Sequence, residues 1–240
     1  VGEDVTQNLK TIESIPMRLS SHEDLPQTTE VKKIFEQFPR VRRITSQIPK
    51  KLEIRGEVYM TKIAFEKINR EQEKGGQQKF ANPRNIAAGS IRQLNPKIAA
   101  SRNLDFLAYD LVTNLGQETH EEEHMVAKLF GFKTVEFAKS CQNIKEIVEF
   151  WREVLKKREK LPLLIDGIVV QVNQGKIFEA LGIVGKAPRG AVAFKFPARE
   201  ATTVVHDIAV QVGRTGVLTP IAILKPVDIA GVIVSRAPLH

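Results

Sequence analysis

The chain has 240 residues, 42% of them hydrophobic and 27% charged, which suits an ordinary globular fold of one large domain, or one domain plus part of another. No apolar run approaches the ~18 residues of a membrane span, and the acidic opening Val1-Gly2-Glu3-Asp4 is not a secretory signal, so the cytoplasm is the expected compartment. One cysteine, Cys141, excludes an intramolecular disulfide and a multi-cysteine zinc site within these residues, and the net charge of +8 points weakly towards a polyanion.

The polar stretch Ser20-Ser21-His22-Glu23-Asp24 leads to a predicted helix over Thr29 to Gln37, with Ile34 and Phe35 inward, and to a basic patch at Arg40, Arg42 and Arg43. From Leu52 to Met60 apolar residues alternate with Glu53, Arg55, Glu57 and Tyr59, so one strand face is core and the other polar. Gly56 removes side-chain bulk beside Glu57, where a ligand would lie against the sheet. Thr61 to Glu73 predicts a helix with Ile63, Ala64 and Ile68 on its apolar side, closed by Gly75-Gly76.

The run Lys79-Phe80-Ala81-Asn82-Pro83-Arg84-Asn85-Ile86-Ala87-Ala88-Gly89-Ser90-Ile91-Arg92-Gln93-Leu94-Asn95-Pro96 is the most informative stretch. If it is helical after Pro83, Arg84, Ala88 and Arg92 fall at steps of four along one side, and Asn95-Pro96 stops the helix. Two planar guanidinium forks flanking small residues suit a phosphate. Taken alone, a surface helix with two solvated arginines is the favoured reading.

Leu104 to Val112 reads as a strand and Asn114-Leu115-Gly116-Gln117 as a turn. His120-Glu121-Glu122-Glu123-His124 formally matches the HExxH zinc-protease pattern. Thr119 with Glu122 makes a capping box and three glutamates favour a helix start, so the reading is a solvated first turn with both histidines in water and no metal. Asn143 to Lys157 predicts an amphipathic helix with Ile144, Ile147, Val148, Trp151 and Leu155 as core. Strands follow at Ile165 to Val172, Ala191 to Phe196, Val204 to Val212 and Ile221 to Val234, with a boundary at Pro197 and Arg199-Glu200 and turns at Gly213, Gly216, Pro226 and Gly231. In Ala191 to Phe196, alternation gathers Ala191, Ala193 and Lys195 on one face, a floor of small residues carrying one charge, which either meets an anion or snorkels into water from an exposed strand end.

These segments resemble the NAD-dependent DNA ligases over residues 1 to 19 and 51 to 240, on Val1-Gly2-Glu3-Asp4-Val5-Thr6, the Phe80 to Leu94 run, Arg55-Gly56-Glu57, Ile165-Asp166-Gly167-Ile168-Val169-Val170-Gln171, Ala193-Phe194-Lys195-Phe196 and Val212-Gly213-Arg214-Thr215-Gly216. The resemblance implies an α+β nucleotidyltransferase (adenylation) fold of antiparallel sheets with flanking helices over 1–197, and the first strands of an OB-fold barrel over 198–240. It assigns Glu57, Asp166, Val169, Gln171 and Lys195 to the nucleotide, with Glu57 on the AMP ribose and Lys195 on a phosphate, and Arg84, Arg92, Arg158 and Arg214 to nucleotide or nick phosphates. NAD and Mg2+ are the implied cofactors, with zinc only in a module outside these residues. Nicked double-stranded DNA is the implied partner of one copy, sealed through lysyl-AMP and DNA-adenylate steps in replication and repair.

Four departures stand out. The nucleophilic lysine of Lys-x-Asp-Gly does not occur, Gln171, expected to face the nucleotide near Lys195, stands where the family has a second lysine, and Leu164 and Gly190 replace an acidic residue and a tryptophan. The expectation is therefore a piece of a ligase that is inactive alone and begins after the nucleophile; a non-catalytic nick-binding homologue and an ATP-dependent nucleic-acid ligase are the alternatives. Residues 20 to 50 are expected to be an insertion.

Overall fold

The computed structural model describes residues 2–198, 200–229 and 232–239. Two compact units emerge: Val1–Gln78 with Pro83–Lys195, and Phe196–His240 with Lys79–Asn82. In the first, α1 (Thr6–Leu9), α2 (Thr29–Gln37) and α3 (Pro39–Ile44) precede β1 (Ile54–Met60), α4 (Lys62–Lys74), α5 (Pro83–Ser90), α6 (Pro96–Ser101) and β2 (Leu104–Leu111). Then come α7 (His120–Leu129), α8 (Ile144–Lys157), a 3-10 turn at Arg158–Lys160, β3 (Gly167–Gln171), α9 (Gly175–Leu181), the short hairpin β4 (Ile183–Val184) and β5 (Ala187–Pro188), and β6 (Ala191–Lys195). The sheets are small and antiparallel: β1 pairs with β2, β3 with β6, and β4 with β5.

The main core is built from Val31 and Ile34 of α2, Val41 of α3, Leu111 of β2, and Val126, Leu129 and Phe130 at the end of α7. Residues 20 to 50, expected to be an insertion, thus supply three of its buried side chains and are part of the frame. Local signals explain several helix starts. Thr28, Thr61 and Asn143 cap α2, α4 and α8 by accepting from the third residue on, and the Thr119–Glu122 capping box at α7 is complete in both directions.

Two inward assignments change. Ile63 is 78% exposed, because the buried stripe of α4 is Ala64 and Ile68 and Ile63 lies a helical step of about 100° to one side. Ile144 is also 78% exposed, at the first position of α8, whereas Val154 is its buried residue. Phe35 is partly buried and faces inward as expected, packed against the core cluster.

The second unit is a meander of β7 (Val205–Val212), β8 (Leu218–Ile229) and β9 (Val232–Pro238). Gly213 and Gly216 form the β7–β8 turn as expected. Pro226 does not turn the chain. It sits inside β8, where the pairing with β9 shifts between Ile223 and Val227, and such an irregularity accommodates a residue without an N–H. The expected single strand from Ile221 to Val234 is therefore two; Arg199 and the turn at Gly231 lie outside the described residues.

Candidate nucleotide and phosphate site

β1 carries an open polar edge. Glu53, Arg55 and Glu57 are exposed, while Tyr59, further along the same face, donates to Asp105 Oδ2 at 2.7 Å, and Lys133 also bonds that carboxylate. Burial raises the Asp105 pKa, but the bonds from Lys133, Ser14 and Tyr59 outweigh it and hold the carboxyl below its ordinary range. That end of the face is structural. Glu57 remains available.

α5 packs on β1 and buries Pro83, Ile86, Ala87 and Ser90, so helical periodicity turns Arg84, Asn85, Ala88 and Gly89 outward. Arg84 Nε stands 4.0 Å from Glu57 Oε1, with the two side chains 75% and 63% exposed. An ion pair this open contributes little to folding, so a ligand can separate it cheaply. Gly56 has a different role from the one expected. A Cβ there would lie 2.0 Å from the Phe106 ring and 2.7 Å from the Leu107 carbonyl oxygen, so the missing side chain makes room for the partner strand, while Glu57 points the other way.

α5 ends at Ser90, before Arg92, so the two arginines do not share one helix. Pro96 begins α6 instead of stopping α5, with Asn95 as its cap accepting from Lys97 N–H at 3.0 Å. The intervening turn is held by buried Asn8, whose amide donates to the Ile91 and Gln93 carbonyls, each at 2.7 Å. This turn presents Arg92, whose Nε lies 3.3 Å from Glu3 Oε2.

The β3–β6 ladder pairs Gly167 with Lys195, Val169 with Ala193 and Gln171 with Ala191. These six residues share one face, since Cβ directions alternate along each strand. On the opposite face the Phe194 ring stacks on Trp151 of α8 at 4.9 Å and 15°, and α8 packs against β3. The first face stays open: Val169 is 70% exposed, and Ala193 and Lys195 are also exposed, as is Asp166 one residue before β3. Trp151, expected as core, is half-buried and donates Nε1–H to the Lys195 carbonyl at 3.3 Å, tethering the end of β6. Gly167 is required by the ladder, because a Cβ would meet the Phe194 carbonyl oxygen at 2.4 Å.

Gln171 and Lys195 lie on the same face but at opposite ends of the ladder. Four residues separate them, about 13 Å along the strands. They are not the adjacent pair that the motifs suggest. Where the tryptophan was expected, Gly190 is buried against Phe178, whose ring lies 2.4 Å from the Cβ position, and Leu164 is exposed. Arg158 falls in the 3-10 turn and Arg214 in the β7–β8 turn of the second unit. A cavity of about 420 Å3 lined by Arg43 of the basic patch, Ile44, Gln47, Ile48, Pro49, Lys50 and Leu115 contains none of the residues assigned to nucleotide or phosphate.

The basic patch loses a member: Arg40 is bonded to Glu118 at 2.9 Å and to buried Glu122 at 3.0 Å, tying α3 to α7. Nor is the first turn of α7 solvated. His120 Nδ1 contacts Glu123 Oε2 at 2.7 Å and His120 Nε2 faces His124 Nε2 at 3.1 Å. Burial, then the neighbouring His120, pushes His124 down to about 4. Asn8, Trp151 and the Arg40–Glu122 pair had no local signal, since each joins segments more than 40 residues apart.

The family pattern described as NAD-dependent DNA ligase adenylation domain matches residues 28–199, and that described as NAD-dependent DNA ligase OB-fold domain matches 202–240. The two units are accordingly those of a nucleotidyltransferase, an adenylation domain followed by an OB-fold domain. Curated proteins named DNA ligase from Halothermothrix orenii, Shouchella clausii and Thermoanaerobacter sp. are 46%, 44% and 47% identical over 242 residues, covering the whole of this chain. The chain belongs to the NAD-dependent DNA ligase family. It spans 32% of the length of those relatives.

Proposed function

We propose that the chain holds the adenylate and the nick phosphates in an NAD-dependent DNA ligase that seals duplex DNA through lysyl-AMP and DNA-adenylate intermediates, in replication and repair. The open β3–β6 face carries this reading. It offers a floor of small and apolar groups, Ala191, Ala193 and Val169, with an amide at one end and an ammonium at the other. Lys195 neutralises phosphate and Gln171 donates a hydrogen bond; Asp166 borders this face, and Glu57 accepts from a ribose hydroxyl. Arg84, Arg92, Arg158 and Arg214 take phosphate oxygens, Arg84 by leaving Glu57. We place the domain boundary at 197/198 and expect one copy per nick, in the cytoplasm; among the described residues no helix is long and apolar enough to cross a membrane.

Among the described residues no group of three or more His, Cys, Asp or Glu side chains could hold a metal ion, so Mg2+ fits here only as an ion carried by the phosphates. The 240 residues contain no Lys-x-Asp-Gly. Incubated alone with labelled NAD or ATP, they should form no covalent adduct. A non-catalytic nick-binding role is favoured by the absent Lys-x-Asp-Gly, the uncharged Gln171 and Leu164 in place of an acidic residue.

In the parent protein, Arg84→Ala should slow nick sealing about tenfold to a hundredfold and reduce the salt dependence of DNA binding by about one counterion. A folded variant with unchanged sealing and an unchanged salt slope would overturn the assignment.

A further inference from the structure

The histidine pair at the start of α7 has a geometry that the proposed ligase chemistry does not use. On a helix, residues four apart share a face, and here the Nε2 atoms of His120 and His124 are 3.1 Å apart. The δ nitrogen of His120 is committed to the Glu123 carboxylate at 2.7 Å. That contact leaves Nε2 as the nitrogen His120 turns to the space it shares with His124 Nε2. Two ring nitrogens at this distance are joined by a proton or by a metal ion.

The ring placement suits a shared ion. With nitrogens ~1.1 Å from their ring centres and metal–nitrogen bonds of ~2.05 Å, such an ion would hold the centroids about 4.8 Å apart at an N–metal–N angle of about 100°. The centroids are 4.6 Å apart and the rings are inclined at 74°. The carboxylate on His120 is the kind of partner that orients a metal-binding imidazole and raises its basicity.

We propose that His120 and His124 form a two-imidazole site for a borderline divalent transition metal such as Zn2+, completed by water. This revises the metal-free expectation for these histidines without restoring the protease reading, because no group of three such ligands exists among the described residues. The ion would act as a staple. Thr119 bridges Gln174, and His120 and Glu121 N–H groups donate to the Asn173 backbone and side-chain oxygens at 2.8 and 3.0 Å, two residues beyond Gln171. Clamping this turn would stiffen the end of β3.

Zn2+ titration of the 240-residue chain by calorimetry, with histidine 15N chemical shifts followed by NMR, tests this. One equivalent should bind, both Nε2 resonances should shift, and His120→Gln or His124→Gln should each weaken binding about tenfold or more. Glu123→Gln, which leaves both ligands in place, should weaken it about tenfold. Should a His variant fail to fold, Glu123→Gln and the wild-type 15N shifts decide. No stoichiometric binding by the wild type, Nε2 resonances indifferent to Zn2+, or binding unchanged in the folded variants would overturn the site.

Discussion

The α2–α3–α7 cluster and the β3–β6 ladder, both in the first unit, are built on opposite terms. The cluster buries seven apolar side chains and locks its helices with Arg40 and Glu122, whereas no residue of β3 or β6 is fully buried and one face of the ladder is bare. A closed core supplies rigidity but leaves nothing for a ligand. The ladder contributes little to folding and can therefore carry a lysine, an amide and a floor of small residues in the open.

The difference is broken most strongly at Phe130, which has no exposed surface. Phe130→Ala should cost about 3–5 kcal/mol of unfolding free energy, against less than about 0.5 kcal/mol for Val169→Ala. Urea unfolding of the two variants checks this, and equal losses would mean that the ladder is part of the core. Next comes Glu122→Ala, which removes the capping box and Arg40's buried partner and should cost about 2–3 kcal/mol in the same assay. A negligible loss would mean that Glu118 alone holds α3 to α7.

The smallest effect is at acid pH. The Asp105 pKa is lowered on folding, so its contribution is fully present above the ordinary carboxylate value and is lost as pH falls through the folded one. The urea midpoint should therefore drop below about pH 4. Asp105→Asn should lack that component, and identical pH profiles would show that the Tyr59–Asp105–Lys133 contacts contribute no pH-linked stability.

What could be read in advance was local or periodic. The Thr119–Glu122 box follows from a spacing of three, and alternation alone placed Ala191, Ala193 and Lys195 on one face. Alternation does not carry register, and so the distance from Gln171 to Lys195 was misjudged; nothing in either strand says that Gly167 lies opposite Lys195. Gly56 was read as an opening for ligand because its neighbour across the sheet, Phe106, is 50 residues away. The end of α5 was missed for the same reason: the turn at Arg92 is held by Asn8, more than 80 residues earlier. Pro226 was given a turn because its tolerance at a bulge depends on pairing that the sequence does not print.

The central claim is that the bare face of β3–β6 meets the adenylate with Lys195 as its one cation. Single-turnover adenylyl transfer and nick sealing by the parent protein, with Lys195→Ala and Gln171→Lys compared to the unaltered enzyme, test it most directly. Loss of Lys195 should slow at least one step by about a hundredfold to a thousandfold, and the added lysine should accelerate at least one by roughly ten to a thousandfold. Folded variants with both rates unchanged would contradict the assignment of this face to the nucleotide.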